Sequence, residues 1–461
     1  MKLTLWEAAQ AVEATNDWHK WPDRLFTGVE FDSRLVQTGN LFVPLQGMTD
    51  GHTFTANAVE KGAAAAFWSI DASQAPQDLP ILQVPDTLQA LQKLAVYYLK
   101  KVQPDVIAIT GSNGKTTTKD LVAAVLAEAF QTYKTQGNYN NQIGLPYTIL
   151  QMPDSTEKLV LEMGMDHAGE ISFLSQLAQP KVAAITMIGE AHLENLGSRA
   201  GIAKAKMEIT AGLASDGCLL VPGNEPLLTP LLQHVTQHVE TFGLNQDCQL
   251  QGFVKQTSKE QTSFTVSGSD EVFTIPVPGT YNVSNALIAV GIGRYFGVED
   301  QQIKKGLIHS QLTQNRTQWL TAANGAELLS DVYNANPTAM SLVLDNFSQM
   351  PTAGKRIAVL GDMLELGPES AALHQQMAAH LDPAQIMIVF LYGEEMNNLK
   401  TALQAKYAPQ HLFHFAKTAK KELMQKLVET IQPEDLVVLK ASNGMGLKEV
   451  IDYLMKEREV S

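Results

Sequence analysis

Cysteine is nearly missing from this chain, with only Cys218 and Cys248 among 461 residues. Two thiols build no disulfide framework and fit no metal-ligand spacing, so a reducing, cytoplasmic setting is expected. Long apolar runs are missing as well. No stretch reaches the roughly 18 apolar residues that could span a bilayer. The segment Met1 to Lys20 carries Glu, Asp and Trp without an apolar centre, unlike a secretory leader. Positive charge is in short supply: 34 Lys and Arg against 48 Asp and Glu leave a net charge of −14. That balance argues against nucleic acid as the main partner but leaves room for a local basic pocket for phosphates. Repeats and low-complexity tracts are absent. At 461 residues the chain exceeds what one core holds, and two or three domains are expected.

What the chain does have is concentrated in Ile109-Thr110-Gly111-Ser112-Asn113-Gly114-Lys115-Thr116-Thr117. The preceding Val106-Ile107-Ala108-Ile109 reads as a buried strand. The following Leu121, Val122, Val125, Leu126 and Phe130 form the apolar face of a helix. Strand, glycine loop and helix in series are the arrangement that binds nucleotide phosphates. Glycines let backbone N–H groups close around the anion, and the helix N-terminus adds positive potential. Lys115 is placed to reach the β- and γ-phosphates and Thr116 to take a position on Mg²⁺. The spacing departs from the general Walker pattern, because Ile109 stands where that pattern has glycine. The alternative is a bare glycine turn ahead of a helix, but Gly, Lys and Thr in series make it the weaker reading.

Strand-like runs near 106–110, 158–162, 182–188 and 217–221 alternate with helical stretches, which implies a mostly parallel, doubly wound α/β sheet. Between 248 and 276 the pattern turns to short strands about Gly268-Ser269-Asp270, an antiparallel appendage. Helix follows over 280–310. A second open α/β unit is expected from strands near 326–330, 356–360, 386–391, 411–415 and 436–440. The division expected is 1–101, 102–313 and 314–461. In open α/β sheets the chemistry gathers beyond the carboxyl ends of strands. Glu162, at the end of one strand, suits Mg²⁺, which needs oxygen ligands. His192 follows another strand and is a poorer Mg²⁺ ligand. Lys206 lies on a helix soon after, where the bland reading is a solvated face. Only as an anionic carbamate, formed with CO₂, would it be a sound oxygen ligand.

Together these residues resemble the Mur ligase family, the ATP-dependent amide-bond ligases of peptidoglycan precursor synthesis. The resemblance runs the whole length. Asp32-Ser33-Arg34, the stretch Gly39 to Gly47 with Gln46, and Asp50-Gly51-His52 look like the family's UDP-sugar-binding segment. The loop from Gly111 to Thr117 matches, as do Thr135-Gln136-Gly137-Asn138 with Asn140-Asn141, and Glu162. His192 falls in an A-H-L-E block, and Lys206 where the family carries a carbamylated lysine. Gly279 to Ala286, with Asn282 and Asn285, resembles the adenine-side motif, with Tyr281 where many relatives have His. Arg316 resembles the arginine that opens the third domain. Asp331-Val332-Tyr333-Asn334-Ala335-Asn336-Pro337, Leu360 to Gly367 and His374 resemble the signatures of the last ligase in the series. Met187 stands where relatives often have Asn. Lys440-Ala441-Ser442-Asn443-Gly444 replaces a K-G-S-R, so Asn443 offers no guanidinium fork there.

The resemblance implies three domains: a small α/β domain for the UDP end, a central P-loop-type ATPase, and a C-terminal Rossmann-like domain. It implies ATP, two Mg²⁺ sites and a carbamylated lysine as cofactors. Its implied partners are a UDP-MurNAc-tripeptide and D-alanyl-D-alanine, with the chain acting as a monomer. Lys115, Glu162, His192 and Lys206 would be catalytic, and Thr116, Glu162, His192 and the Lys206 carbamate would hold metal. Gly111 to Thr117, Asn282, Asn285, Arg316 and Asp331 would bind ATP. Asp32, Ser33, Arg34, Gln46, Gly47, Asp50, His52, Asn138 and Asn141 would bind the UDP-peptide. Tyr333, Asn334, Asn336 and Ser442 would meet the acceptor, although Asn336 also suits a helix cap. Two rivals are another ligase of the superfamily, such as a folylpolyglutamate type, and a nucleotide-binding regulatory protein. The first-domain match and Y-N-A-N-P weigh against the former, and the intact Lys115, Glu162, His192 and Lys206 against the latter.

Overall fold

A computed structural model describes residues 1–21, 24–313 and 318–456. Three α/β sheets follow one another along the chain, each built from a separate stretch. The first has four parallel strands, Gly28–Glu30, Asn40–Phe42, Ala65–Trp68 and Ile81–Gln83, in that order. A short antiparallel pair, Leu3–Thr4 with Leu25–Phe26, stands beside it.

The central sheet has nine strands. Its parallel part runs Thr132–Lys134, Lys158–Glu162, Asp105–Thr110, Val182–Ile185, Cys218–Pro222, His238–Gly243. Leu250–Thr257 joins parallel to the last of these, and Thr262–Val266 and Phe273–Ile275 continue antiparallel, as the expected appendage. The strand order reverses beside Asp105–Thr110, because Lys158–Glu162 flanks it on one side and Val182–Ile185 on the other. Such a switch point opens a crevice at the strands' carboxyl ends.

Alternation along Val106-Ile107-Ala108-Ile109 shows why both faces of this sheet are covered. Val106 and Ala108 pack with Leu159, Leu161, Ala183 and Ile185, in a core shared with the first domain's helices. Ile107 and Ile109 pack on the other face with Leu121, Val122, Val125 and Leu126, and with the helix Tyr281–Tyr295. A period of two in the strand thus meets a period near 3.6 in the helix.

The third sheet runs Gln318–Thr321, Glu327–Asp331, Leu436–Lys440, Arg356–Gly361, Ile388–Tyr392, Leu412–Phe415. It is parallel apart from its first strand, an antiparallel edge that the apolar pattern does not reveal. Ala358 and Leu360 face one core and Ile357 and Val359 the other.

One charged cluster is buried among these apolar layers. The helix Lys115–Ala127 carries Lys119 and Asp120 inward, each 1% exposed. Asp120 Oδ1 lies 2.6 Å from Lys134 Nζ and 3.3 Å from Lys119 Nζ. Its Oδ2 accepts hydrogen bonds from the Thr313 N–H and hydroxyl, both at 2.8 Å. Burial works against the Asp120 charge, yet Lys119 and Lys134 hold the carboxyl below its ordinary value. Asp120→Ala would leave Lys119 buried without its counter-charge. The expected loss is about 3–5 kcal/mol of unfolding free energy in urea titration. A loss below about 1 kcal/mol would show that water reaches the cluster and screens it.

Candidate active site

The glycine loop begins where the strand Asp105–Thr110 ends, at the switch point. Its shape is dictated by close packing. A Cβ on Gly111 would stand 1.8 Å from Thr186 Oγ1, and one on Gly114 would stand 2.4 Å from Asn285 Oδ1. Gly114 also holds φ +82°, which side-chain-bearing residues avoid, and it starts the helix Lys115–Ala127. The loop is stitched to the next strand's outlet: Ser112 N–H donates to Met187 O at 3.0 Å, and Gly189 N–H donates to Ser112 Oγ at 2.9 Å. The Thr186 hydroxyl donates to Asn113 O. Lys115 curls over the loop, its ammonium donating to Gly111 O at 2.7 Å.

Beside the loop, Thr116 Oγ1 donates to Glu162 Oε2 at 2.8 Å, and Asn140 Nδ2 donates to Glu162 Oε1 at 2.9 Å. Glu162 is buried, and its own N–H donates to Thr135 Oγ1 at 3.0 Å. Hydroxyl, carboxylate and amide oxygens form a hard donor set, the kind that holds Mg²⁺ together with phosphate oxygens and water. Among the described residues no three His, Cys, Asp or Glu converge on one point. A cation here would therefore depend on its nucleotide.

On the loop's other side, His192 takes a left-handed backbone with φ +61°. Its Nδ1 is buried and lies 2.7 Å from Glu365 Oε2 and 3.3 Å from Asp166 Oδ1. Neither approach has hydrogen-bond geometry, so these are close contacts without a directed bond. Burial holds the imidazole below its ordinary value, with Lys115 and Lys206 adding to the effect and Glu365 and Asp166 opposing it. On the helix Arg199–Met207, Lys204 is exposed as the bland reading has it, whereas Lys206 is 2% exposed. No described residue pairs with the Lys206 amine. Burial, and then Lys115, push that amine well below its ordinary value of 10.5.

A cavity of about 470 Å³ opens between the loop and the third domain. Asn113, Gly114 and Thr117 line it with Asn282, Asn285 and Asp331. Asn285 Nδ2 donates to Asn282 Oδ1 at 3.1 Å, and Asp331 pairs with buried Lys440 at 2.6 Å. Six of the residues expected on ATP thus line one cavity. Arg316 lies outside the described residues.

The four residues expected at the acceptor lie in three different settings. Tyr333 and Asn334 line this same cavity, because the turn after Glu327–Asp331 folds toward the glycine loop. Asn336 caps the helix Pro337–Ser348, accepting from Ala339 N–H at 2.9 Å. Its amide also pairs with the Asn113 amide in both directions, at 2.9 and 3.1 Å. That leaves it few free valences for a dipeptide, and makes it a strut between third domain and loop. Ser442 is buried and accepts from Leu364 N–H at 2.9 Å, a stitch within the third domain. His374 is equally internal, accepting from Met363 N–H at 3.0 Å through Nε2.

In the first domain, Asp32, Ser33 and Arg34 follow Gly28–Glu30, and Gln46, Gly47, Asp50 and His52 follow Asn40–Phe42. Both loops leave the carboxyl ends of neighbouring parallel strands. Asp32 and Arg34 pair at 2.6 Å on the surface. His52 is buried between Asp50, at 2.6 Å, and Ser69, and shapes the loop from within. Glu30 Oε2 accepts from Tyr147 OH at 2.9 Å, and Phe31 packs on Tyr139, so these loops adjoin the 138–147 segment. There Asn138 is exposed, while Asn141 accepts from Gly144 N–H at 2.9 Å, where the helix Gly144–Gln151 starts.

The sequence reading passed over Asn140, Thr186, Glu190 and Glu365. Asn140 and Glu365 lie inside quoted motifs, but spacing does not say which of two adjacent asparagines turns toward Glu162. Glu190 accepts from the Thr338 N–H and hydroxyl at 3.1 and 2.7 Å, a contact between domains that only folding brings about.

Comparison with known proteins agrees with this geometry. Residues 109–293 match the Mur ligase middle domain, 315–443 the Mur ligase glutamate ligase domain, and 25–98 the Mur ligase family catalytic domain. The UDP-N-acetylmuramoyl-tripeptide–D-alanyl-D-alanine ligase of Bacillus subtilis is 42% identical, over 99% of either chain. That of Escherichia coli is 33% identical over 97% of this chain and 98% of its own. Among solved structures, MurF from Acinetobacter baumannii superposes with a TM-score of 0.87 at 28% identity, over 99% of both chains. MurF ligase from Thermotoga maritima in complex with ADP superposes with 0.79 at 25% identity, over 96% of this chain and 99% of that one. The chain belongs to the Mur ligase family.

Proposed function

We propose that this chain joins D-alanyl-D-alanine to a UDP-N-acetylmuramoyl-tripeptide, spending ATP and releasing ADP and phosphate. One observation carries the reading. The glycine loop, Glu162, His192 and Lys206 meet at one set of strand ends, and the third domain closes over them. The likeness to the B. subtilis and E. coli ligases selects the two substrates.

The reaction begins with two anions that repel each other, the peptide carboxylate and the ATP triphosphate. Lys115, the loop N–H groups and the N-terminus of Lys115–Ala127 supply the positive potential that lets them meet. The carboxylate oxygen takes the γ-phosphoryl group, ADP leaves, and an acyl phosphate forms. The acceptor amine adds to the acyl carbon, a proton is lost, and phosphate departs with the bonding pair. Thr116 and Glu162 would hold Mg²⁺, which when bound neutralises phosphate charge. Asn140 fixes the Glu162 carboxylate for that task, and Thr135 holds its backbone N–H. The seam at Asn113–Asn336 and Glu190–Thr338 excludes water from the hydrolysable intermediate.

In the same reading the first domain's 32–34 and 46–52 loops take the UDP end. Cys218 and Cys248 are buried free thiols, and burial pushes Cys218 up to about 12, which suits an inert role in a reducing cytoplasm. No helix among the described residues is long and apolar enough to cross a membrane.

Lys206 is proposed to be carbamylated. A buried amine without a partner is held neutral, and a neutral amine is the form that adds to CO₂. The carbamate carries negative charge toward Lys115, an attraction that the neutral amine does not make.

Phosphate release should require both the UDP-tripeptide and D-alanyl-D-alanine. Lys115→Ala should lower that rate on the order of 10²–10³-fold while its thermal unfolding stays near that of the parent. Release without the acceptor at the full rate would oppose the ligase reading.

Lys206→Met should abolish ligation yet raise the melting temperature in CO₂-free buffer. Holding this amine unprotonated in the fold costs stability at any pH below its ordinary value of 10.5, where the unfolded chain takes up the proton. Because its folded value is depressed, that cost grows as pH falls and vanishes above 10.5, so the gain should shrink toward alkaline pH. With ¹³C-bicarbonate the parent, and not the variant, should show a carbamate carbon resonance. Its absence from active enzyme would remove the carbamate.

A further inference from the structure

Outside the nucleotide cavity the third domain sends one more loop to the reaction centre, Asp362 to Gly367, at the carboxyl end of the strand Arg356–Gly361. Three successive residues anchor it in its own domain. Asp362 accepts from the Glu394 and Met396 N–H groups at 3.0 and 2.9 Å, Met363 N–H donates to His374, and Leu364 N–H donates to Ser442. The fourth, Glu365, turns away into a left-handed backbone with φ +64°. Its carbonyl accepts from Glu194 N–H of the central domain at 3.0 Å. Its carboxylate ends 2.7 Å from His192 Nδ1.

No described residue donates a hydrogen bond to that carboxylate, and its side chain is 54% exposed in the cleft. A glutamate in a left-handed turn, clamped at its backbone but unbonded at its head group, is an expensive way to build a mere contact. The neighbourhood explains what such a head group is for. The acceptor arrives as an ammonium at neutral pH, since α-amino groups titrate near about 8. Lys115 faces His192, and with the ATP-bound cation it would repel the ammonium, while the Lys206 carbamate is turned toward Lys115. A carboxylate must accompany the ammonium into this field. Glu162 is spent on Thr116 and Asn140, and Glu190 on Thr338. Asp166 and Glu365 are left, and only Glu365 rides on the third domain.

We propose that Glu365 is the third domain's receptor for the ammonium of the incoming dipeptide, which gives up one proton to solvent in the open cleft and then presents its nitrogen lone pair to the acyl phosphate beside His192. The inference rests on the ligase reading and deepens it. It concerns binding and aim; the bonds made and broken stay those given above.

The test compares two nucleophiles on full-length Glu365→Gln. Hydroxylamine is uncharged at neutral pH, needs no counter-charge, and traps an acyl phosphate as a hydroxamate. The expected result is a KM for D-alanyl-D-alanine raised about ten- to hundredfold, the scale of a lost hydrogen bond to a charged group. KM for ATP and for the UDP-tripeptide, Mg²⁺ dependence, melting temperature and hydroxamate formation should stay within about twofold of the parent. Equal losses with both nucleophiles, or a shifted Mg²⁺ dependence, would overturn the proposal in favour of a metal or closure role. An unchanged KM for the dipeptide would overturn it as well. Should the parent enzyme itself form no hydroxamate, the acyl phosphate reading fails, and that outcome is separate from any effect of Glu365.

Discussion

The close packing of the glycine loop under Thr186 and Asn285 is the constraint on which the rest depends. With no room for a Cβ at Gly111 or Gly114, the backbone there has one course, and every neighbour is set by it. Ser112 ties the loop to Gly189, which leads to His192. Thr116, one residue into the helix, reaches Glu162. Asn113 reaches Asn336 and so brings in the third domain. A sheet whose strand order reverses at this point supplies the space, and the loop decides what points into it.

Charge explains the composition of the centre better than packing does. Two of its lysines are poor choices for a stable core. Lys119 is buried but answered by Asp120, whereas Lys206 is buried and unanswered. An unanswered buried amine is a destabilising feature kept at a functional place, the pattern expected where activity opposes stability. Asp120 then links the ATP helix to Thr313, just before the third domain begins, so the compensated pair also serves the architecture.

Much of this was legible in the sequence, for definite reasons. Val106 to Thr117 declare a strand, a loop and a helix by periodicity and glycine alone, and the third sheet's inner strands Arg356–Gly361, Ile388–Tyr392 and Leu436–Lys440 are apolar runs buried on both faces. His238–Gly243 escaped because its residues are only partly buried and mix His, Glu and Thr, without an apolar run. At the site, residue type was readable and direction was not. Asn140 and Asn141 are adjacent, yet one turns to Glu162 and the other to a helix end. Asn336 reads equally as cap or ligand until the Asn113 amide is found opposite. Contacts between domains, such as Glu365 with His192, join residues 173 positions apart and leave no local signature.

The central claim is chemical: this arrangement exists to let a carboxylate attack a triphosphate and hold the product for an amine. Isotope transfer reads that step directly. With both oxygens of the peptide's free carboxylate replaced by oxygen-18, turnover should place a single labelled oxygen in each inorganic phosphate released, leaving the other in the new amide. Unlabelled phosphate, released in step with amide, would contradict the account.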